Sequence, residues 1–317
     1  MRKPFRLFLL CCAACLSGCA TAHAGDSPWG VVRKGNDEVQ VFYRGAQYAA
    51  LHPFSSYFRM VYGPSSGWGT SVVLLPIYWS ADSPDAEYKD AALHQGGQVS
   101  VQEKVSGPDL VLQVQGSVGE LSCRGSVRIH PPGKDCSDPA GECIRADVSM
   151  SVQAPRRMQS ALHDEPGEAF KPVFLSSMYV GKTQWDSRIV SNGVQKQDFS
   201  SVPAGPRGQV RRKPSADEGG TGKPTPGLIF SPDSSARKLI LYGGDSAWKP
   251  NAPTVEIDFL EPSAQALKAR GMKLASMGWR TDSADPNDDN IGCWLGTNAI
   301  IERYRYSVEV RRQTQEP

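Results

Sequence analysis

Between Gln98 and Gln153 apolar and polar residues alternate with a period of two, and this constrains the fold more than any other feature of the chain. Val99, Val101 and Val105 are separated by polar residues; Leu110, Leu112 and Val114 run against Gln113 and Gln115. Successive side chains of a strand point to opposite faces, so each run reads as a strand buried on one side. Glu120–His130 and Cys143–Gln153 flank a Pro/Gly turn and read as a hairpin. Shorter extended runs occur at Glu38–Tyr43, Tyr57–Tyr62 and Ser71–Trp79, and at 173–180, 237–242, 254–260 and 299–310. Ser263–Arg270, after Pro262, is the one short helical segment, and Arg270-Gly271 ends it. The 31 glycines and 24 prolines of this 317-residue chain argue against long helices, whose interiors both residues break. Many strands without intervening helices predict an all-β fold, a large antiparallel β-sandwich or barrel-like assembly with little helix.

The N-terminus reads as an export signal. Arg2, Lys3 and Arg6 precede an apolar core, Leu7–Leu16, of about ten residues, short for a membrane span. The core ends in Leu16-Ser17-Gly18-Cys19. This sequence resembles the lipobox of bacterial lipoproteins, a resemblance confined to the leader. It implies cleavage before Cys19 and lipid attachment at that sulfur. With Ala20 rather than Asp after the cysteine, it also implies sorting to the outer membrane. Several acyl chains make such an anchor stable where a single one is reversible. The expected organisation is a signal peptide at 1–18, a lipidated tether at 19–36 and an all-β domain at 37–317. Within that domain Ser200–Gly227, rich in Pro and Gly and carrying Arg207, Arg211, Arg212, Lys213 and Lys223, is expected to be a flexible loop.

Four cysteines remain beyond the leader and anchor: Cys123, Cys136, Cys143 and Cys293. An even number in an exported protein points to disulfides. Cys136 and Cys143 bracket a turn-rich hexapeptide and are expected to pair, which leaves Cys123 and Cys293 for a long-range bridge. No CxxC spacing supports zinc.

Several motifs fail on their context. Gly63-Pro64-Ser65-Ser66-Gly67 matches GxSxG, but a strand-like run follows it instead of the helix that a nucleophile elbow requires. Gly219–Pro224 lacks the spacing of a phosphate loop. The five histidines, at 23, 52, 94, 130 and 163, show no metal-ligand spacing, and each is expected on the surface or in a loop. Glu256 and Asp258 share one strand face, which a solvent-facing strand explains without catalysis.

Two features point to ligands. Between Asp282 and Asn290, six Asp/Asn side chains lie close together, with Asp285, Asn287 and Asp289 at the first, third and fifth positions of a calcium-loop pattern. The bidentate Glu of that pattern is missing, since Gly296 holds its place; an Asx-rich turn is the other reading. Trp279 and Trp294 flank the loop, so aromatic faces and polar groups meet there in a way that suits a sugar ring.

The formal charge of +2 offers no basic excess for nucleic acid. The expected function is that of a membrane-anchored envelope lipoprotein whose all-β domain binds a glycan or another envelope component. A polysaccharide-acting hydrolase or lyase and a structural assembly lipoprotein are the alternatives.

Overall fold

The computed structural model describes residues 27–35, 38–52, 57–61, 69–73, 99–118, 121–136, 143–153, 174–180, 189–198, 211–213, 227–228, 230–242, 254–281 and 291–311. They form two stacked sheets. The chain first lays down a meander of β1 (Trp29–Lys34), β2 (Glu38–Tyr43), β3 (Ala46–His52), β4 (Tyr57–Val61) and β5 (Gly69–Val73). It then builds a second meander from β6 (Val99–Ser106), β7 (Asp109–Val118), β8 (Leu121–Ile129) and β9 (Cys143–Gln153). β10 (Phe174–Val180) returns to the first sheet beside β5. β11 (Ile189–Ser191) and β12 (Lys196–Asp198) form one edge of the second sheet. β13 (Arg211–Lys213) and β14 (Gly227–Leu228) each pair with a later strand of the first. β15 (Lys238–Leu241) and β16 (Thr254–Glu261) join the second sheet, and helix α1 (Ala264–Ala269) follows. The hairpin of β17 (Leu274–Thr281) and β18 (Ile291–Thr297) belongs to the first sheet, and β19 (Arg303–Arg311) closes the second between β16 and β9.

The first sheet runs β1-β2-β3-β4-β5-β10-β18-β17-β13, with β14 also on β17; the second, read from the corresponding edge, runs β6-β7-β8-β9-β19-β16-β15-β11-β12. Only β13 pairs in parallel among the described strands. The all-β expectation holds, as a sandwich. Its alternation is regular: Leu110, Leu112 and Val114 of β7, Val127 and Ile129 of β8, Ala146, Val148 and Met150 of β9, and Tyr306, Val308 and Val310 of β19 enter one core together with Val31, Val41, Leu51, Leu274 and Leu295 of the first sheet. Burial of these apolar side chains is the main stabilising term, roughly 1.5–3 kcal/mol for each large one.

The two sheets are fastened along the β1/β6 edge. Trp29 donates its indole N–H to the Pro108 carbonyl at 2.7 Å, Tyr48 donates its hydroxyl to the His130 carbonyl at 3.0 Å, and Arg33 bridges to the Val101 carbonyl at 3.1 Å and to Glu103. Trp29, Tyr43 and Tyr48 pack their rings together there, with centroids 4.7–6.2 Å apart. The domain therefore begins earlier than the boundary at residue 37. Trp29 supplies apolar area and Val31 alternates into the core, so part of the expected tether is strand. Arg211–Lys213, placed in the flexible loop by its composition, likewise pairs with Trp279–Thr281.

α1 shows why a short helix forms where it does. Ser263 caps it by accepting the Ala266 N–H at 3.2 Å, and Leu267 is fully buried. Gly271, at φ 67°, ends it; the Gly271 and Met272 N–H groups return to the carbonyls of Lys268 and Leu267 at 3.0 and 2.9 Å. No helix among the described residues is long and apolar enough to cross a membrane.

Candidate functional site

The outer face of the second sheet carries the polar chemistry, and the strand registers order it into rows. Residues directly opposite on antiparallel strands share a face. One row runs Gln102, Gln113, Ser126, Ser149 and Arg305 from β6 to β19, and Glu261 of β16 extends it. The next runs Ser100, Gln115, Arg124, Ser151 and Arg303. Five strands at about 4.8 Å spacing make each row about 19 Å long, and the rows lie about 7 Å apart. Together they line a cleft of about 540 Å³. Val114, Gly125, Met150 and Tyr304, which alternate inward between the two rows, complete its lining.

Gly125 shapes this floor. A Cβ there would stand well inside 3.0 Å of both the Ser149 carbonyl oxygen and the Met150 sulfur. A glycine inside a strand marks just such a close approach of two backbones.

Further along the same face the charges are paired. The Arg311 guanidinium reaches Glu256 at 2.8 Å and Glu309 at 3.0 Å, while Lys238 bridges Glu256 and lies 3.4 Å from Asp258. Burial pushes the Glu256 carboxyl up, but hydrogen bonds from Lys238 and Arg311 outweigh it and leave the group below its usual range. Glu256 and Asp258 do share the outer strand face, and both are committed to Lys238.

His130 is the residue that sequence reasoning placed wrongly. It is buried, not in the solvent, with 4% of its surface exposed. Its Nδ1 lies 3.3 Å from Asp109 Oδ1 and 3.4 Å from Asp135 Oδ2; its Nε2 lies 3.0 Å from Asp147 Oδ2. Each ring nitrogen thus faces a carboxylate, and with 4% of its surface exposed the imidazole is held inside the fold and not presented to a ligand. Arg128 at 3.0 Å and Lys134 at 2.9 Å complete the partners of Asp109. Burial raises the Asp109 carboxyl, and the hydrogen bonds from Lys134 and Arg128 with the nearby His130 bring it below its usual value. The cluster clamps the 130–135 turn onto β7 and β9. Asp109, His130 and Asp147 lie far apart in sequence, and only the β7–β8–β9 register brings them together.

The sequence-predicted site residues are scattered. Cys136 and Cys143 form the expected disulfide. Cys123 is a free, buried thiol, so the bridge to Cys293 is not made. The reason is the order of the strands. β18, which carries Cys293, packs against β15, and β15 stands four strands from β8. Four strand spacings are about 19 Å, against the 7 Å or less between Cα atoms that a disulfide requires. Burial pushes the Cys123 thiol up to about 12. Trp279 and Trp294 fall at diagonal register positions on one face of the β17–β18 hairpin, in the first sheet. They are therefore not part of the cleft in the second. Asp285, Asn287 and Asp289, the candidate calcium ligands, and Cys19, the candidate lipid-attachment residue, lie outside the described residues. Cys136, Cys143 and Glu309 place two sulfurs and a carboxylate within 4.8 Å of one another, but sulfurs joined in a disulfide offer no thiolate to a metal.

No protein-family model matches the chain, and no curated protein matches it in sequence. Among solved structures, a mutant of the heparan sulfate lyase HepC from Pedobacter heparinus aligns with a TM-score of 0.39 and 7% identity, over 92% of this chain and 36% of that one.

Proposed function

We propose that the protein is a lipid-anchored envelope protein whose β-sandwich holds a glycan across the outer face of its second sheet. The observation that carries this reading is the pair of polar rows in the cleft. Among the described residues, the side chains of Gln102, Gln113, Gln115, Arg124 and Arg303 make no hydrogen bond or ion pair of their own. Amides and serine hydroxyls both donate and accept, which suits the hydroxyl groups of a sugar. The backbone beneath them is fixed in a five-stranded ladder, so a ligand meets a preorganised surface.

Binding fits this cleft better than hydrolysis. Glycoside hydrolysis uses two carboxyl groups flanking the scissile bond. Of the cleft-lining residues only Glu261 is a carboxylate, and Arg305 stands 3.5 Å from it. An assembly role would favour a contiguous apolar surface. Val194 is the exposed large hydrophobic among the described residues, and one such side chain makes no patch.

The Leu16-Ser17-Gly18-Cys19 sequence supports the anchor in this reading. Cys19→Ser is expected to move the protein from the detergent phase to the aqueous phase. For the binding function, the test is titration of the soluble Cys19→Ser protein against a panel of immobilised envelope glycans. At least one is expected to bind, with Gln113→Ala and Ser149→Ala weakening it. Absence of binding to every glycan at millimolar concentration would overturn the reading.

A further inference from the structure

We infer that the glycan taken by this cleft is acidic, with carboxylate or sulfate groups seated on Arg124, Arg303 and Arg305. The inference rests on the glycan-binding reading above and names the ligand's chemical class. It comes from how charge is distributed over a single sheet face. Elsewhere on this face four basic groups have carboxylates: Lys238 has Glu256 and Asp258, Arg311 has Glu256 and Glu309, Arg145 has Asp147, and Arg128 has Asp109, while Lys104 of β6 stands alone among the described residues. Inside the cleft three guanidinium groups face one carboxylate. Arg305 and Glu261 are both about half exposed, a pair that solvent screens. Arg124 and Arg303 have no carboxylate among the described residues.

The registers also fix the spacing. Arg124 and Arg303 both stand opposite Ser151, from either side, so their roots are two strands apart, roughly 10 Å. Arg303 and Arg305 lie on one strand face, about 7 Å apart. Each guanidinium presents a planar fork of donors that matches a carboxylate or sulfate with two parallel hydrogen bonds. Three forks around a strip of amides and hydroxyls match a chain that carries anionic groups at intervals with hydroxyls between them. A neutral sugar would leave the mutual repulsion of the arginines in place; an acidic one relieves it.

The experiment compares polygalacturonate, dextran sulfate and neutral dextran on the Cys19→Ser protein, at low and raised salt. At least one of the acidic polymers is expected to bind about tenfold tighter than the neutral one, with salt weakening it. The tighter of the two identifies carboxylate or sulfate as the recognised group. Arg124→Gln and Arg303→Gln are each expected to lose about tenfold toward that polymer, with an unchanged melting temperature because both side chains are exposed. Equal binding of acidic and neutral polymers, unaffected by the arginine variants but weakened by Gln113→Ala, would overturn the acidic class and leave the glycan cleft standing. Tight acidic binding that neither arginine variant alters would place the anion elsewhere and likewise overturn the inference. No binding of these polymers or of the wider glycan panel would remove both.

Discussion

Tyr48 of the first sheet donates its hydroxyl to the carbonyl of His130 in the second, at 3.0 Å. Its ring is buried against Trp29 and Tyr43, so the bond forms in a dry environment where an unmet carbonyl is costly. Tyr48→Phe keeps the ring and removes only the donor. The variant is expected to lose about 1–2 kcal/mol of stability, read as a lower midpoint in urea at an unchanged slope. A midpoint equal to wild type would mean that the carbonyl finds another partner.

The clamp around His130 makes a pH prediction. The Asp109 carboxyl lies below its ordinary value in the fold. As pH falls, the unfolded chain therefore takes up a proton at this position before the folded one does. The stabilisation is fully present above the ordinary Asp value, about 3.9, and is lost as pH drops through the lowered native value. Asp109→Asn is expected to be less stable than wild type at pH 7, with the difference shrinking below about pH 4. Melting curves from pH 2.5 to 7 check this; a difference that stays constant across the range would show that the carboxylate charge is not what the clamp uses.

What the sequence made legible depends on where burial is one-sided. β7 was readable to the residue, because Leu110, Leu112 and Val114 enter the core while Gln113 and Gln115 face out. α1 was readable from Pro262, Ser263 and Gly271. β17 and β18 were not foreseen. Leu-Ala-Ser-Met-Gly-Trp-Arg-Thr and Ile-Gly-Cys-Trp-Leu-Gly-Thr carry apolar or small residues at both parities, so no alternation marks them. The cleft was half legible. Each strand showed which residues face outward, but that β19 lies beside β9, bringing Arg303 and Arg305 next to Ser151 and Ser149, depends on a pairing about 150 residues apart in sequence. Composition also misplaced Trp29 and His130: each lies among polar or turn-forming neighbours, and only long-range contacts bury it.

Cys123 is expected to be chemically silent in the native protein. Its thiol is buried and displaced up to about 12, so almost no thiolate exists at pH 8, and the thiolate is the reactive form. Iodoacetamide at pH 8 should leave the Cys123 peptide unmodified until denaturant is added, after which it should alkylate fully. Labelling of that peptide in the native state would show that β8 opens, and peptide mapping with mass spectrometry distinguishes it from the other cysteines.

Gly125→Ala tests the cleft from beneath. Gly125 stands opposite Met150 across the β8–β9 ladder and opposite Val114 across the β7–β8 ladder. The added methyl meets the Ser149 carbonyl, which is backbone and cannot rotate away, and the Met150 sulfur, which can. β9 must therefore move away from β8, and the strain is expected to cost about 1–3 kcal/mol, as overpacking does. The displacement falls between the two polar rows, so it also changes the separation of Arg124 from Arg303 and of Ser126 from Ser149. On the proposed glycan-binding reading, the variant should thus lose affinity at temperatures where circular dichroism still shows it folded. Met150→Ala in the same background removes the sulfur but not the carbonyl, and should restore only part of both losses. Full recovery would locate the whole conflict in the methionine side chain, and with it the view that the β8–β9 backbone approach sets the shape of the cleft would fail.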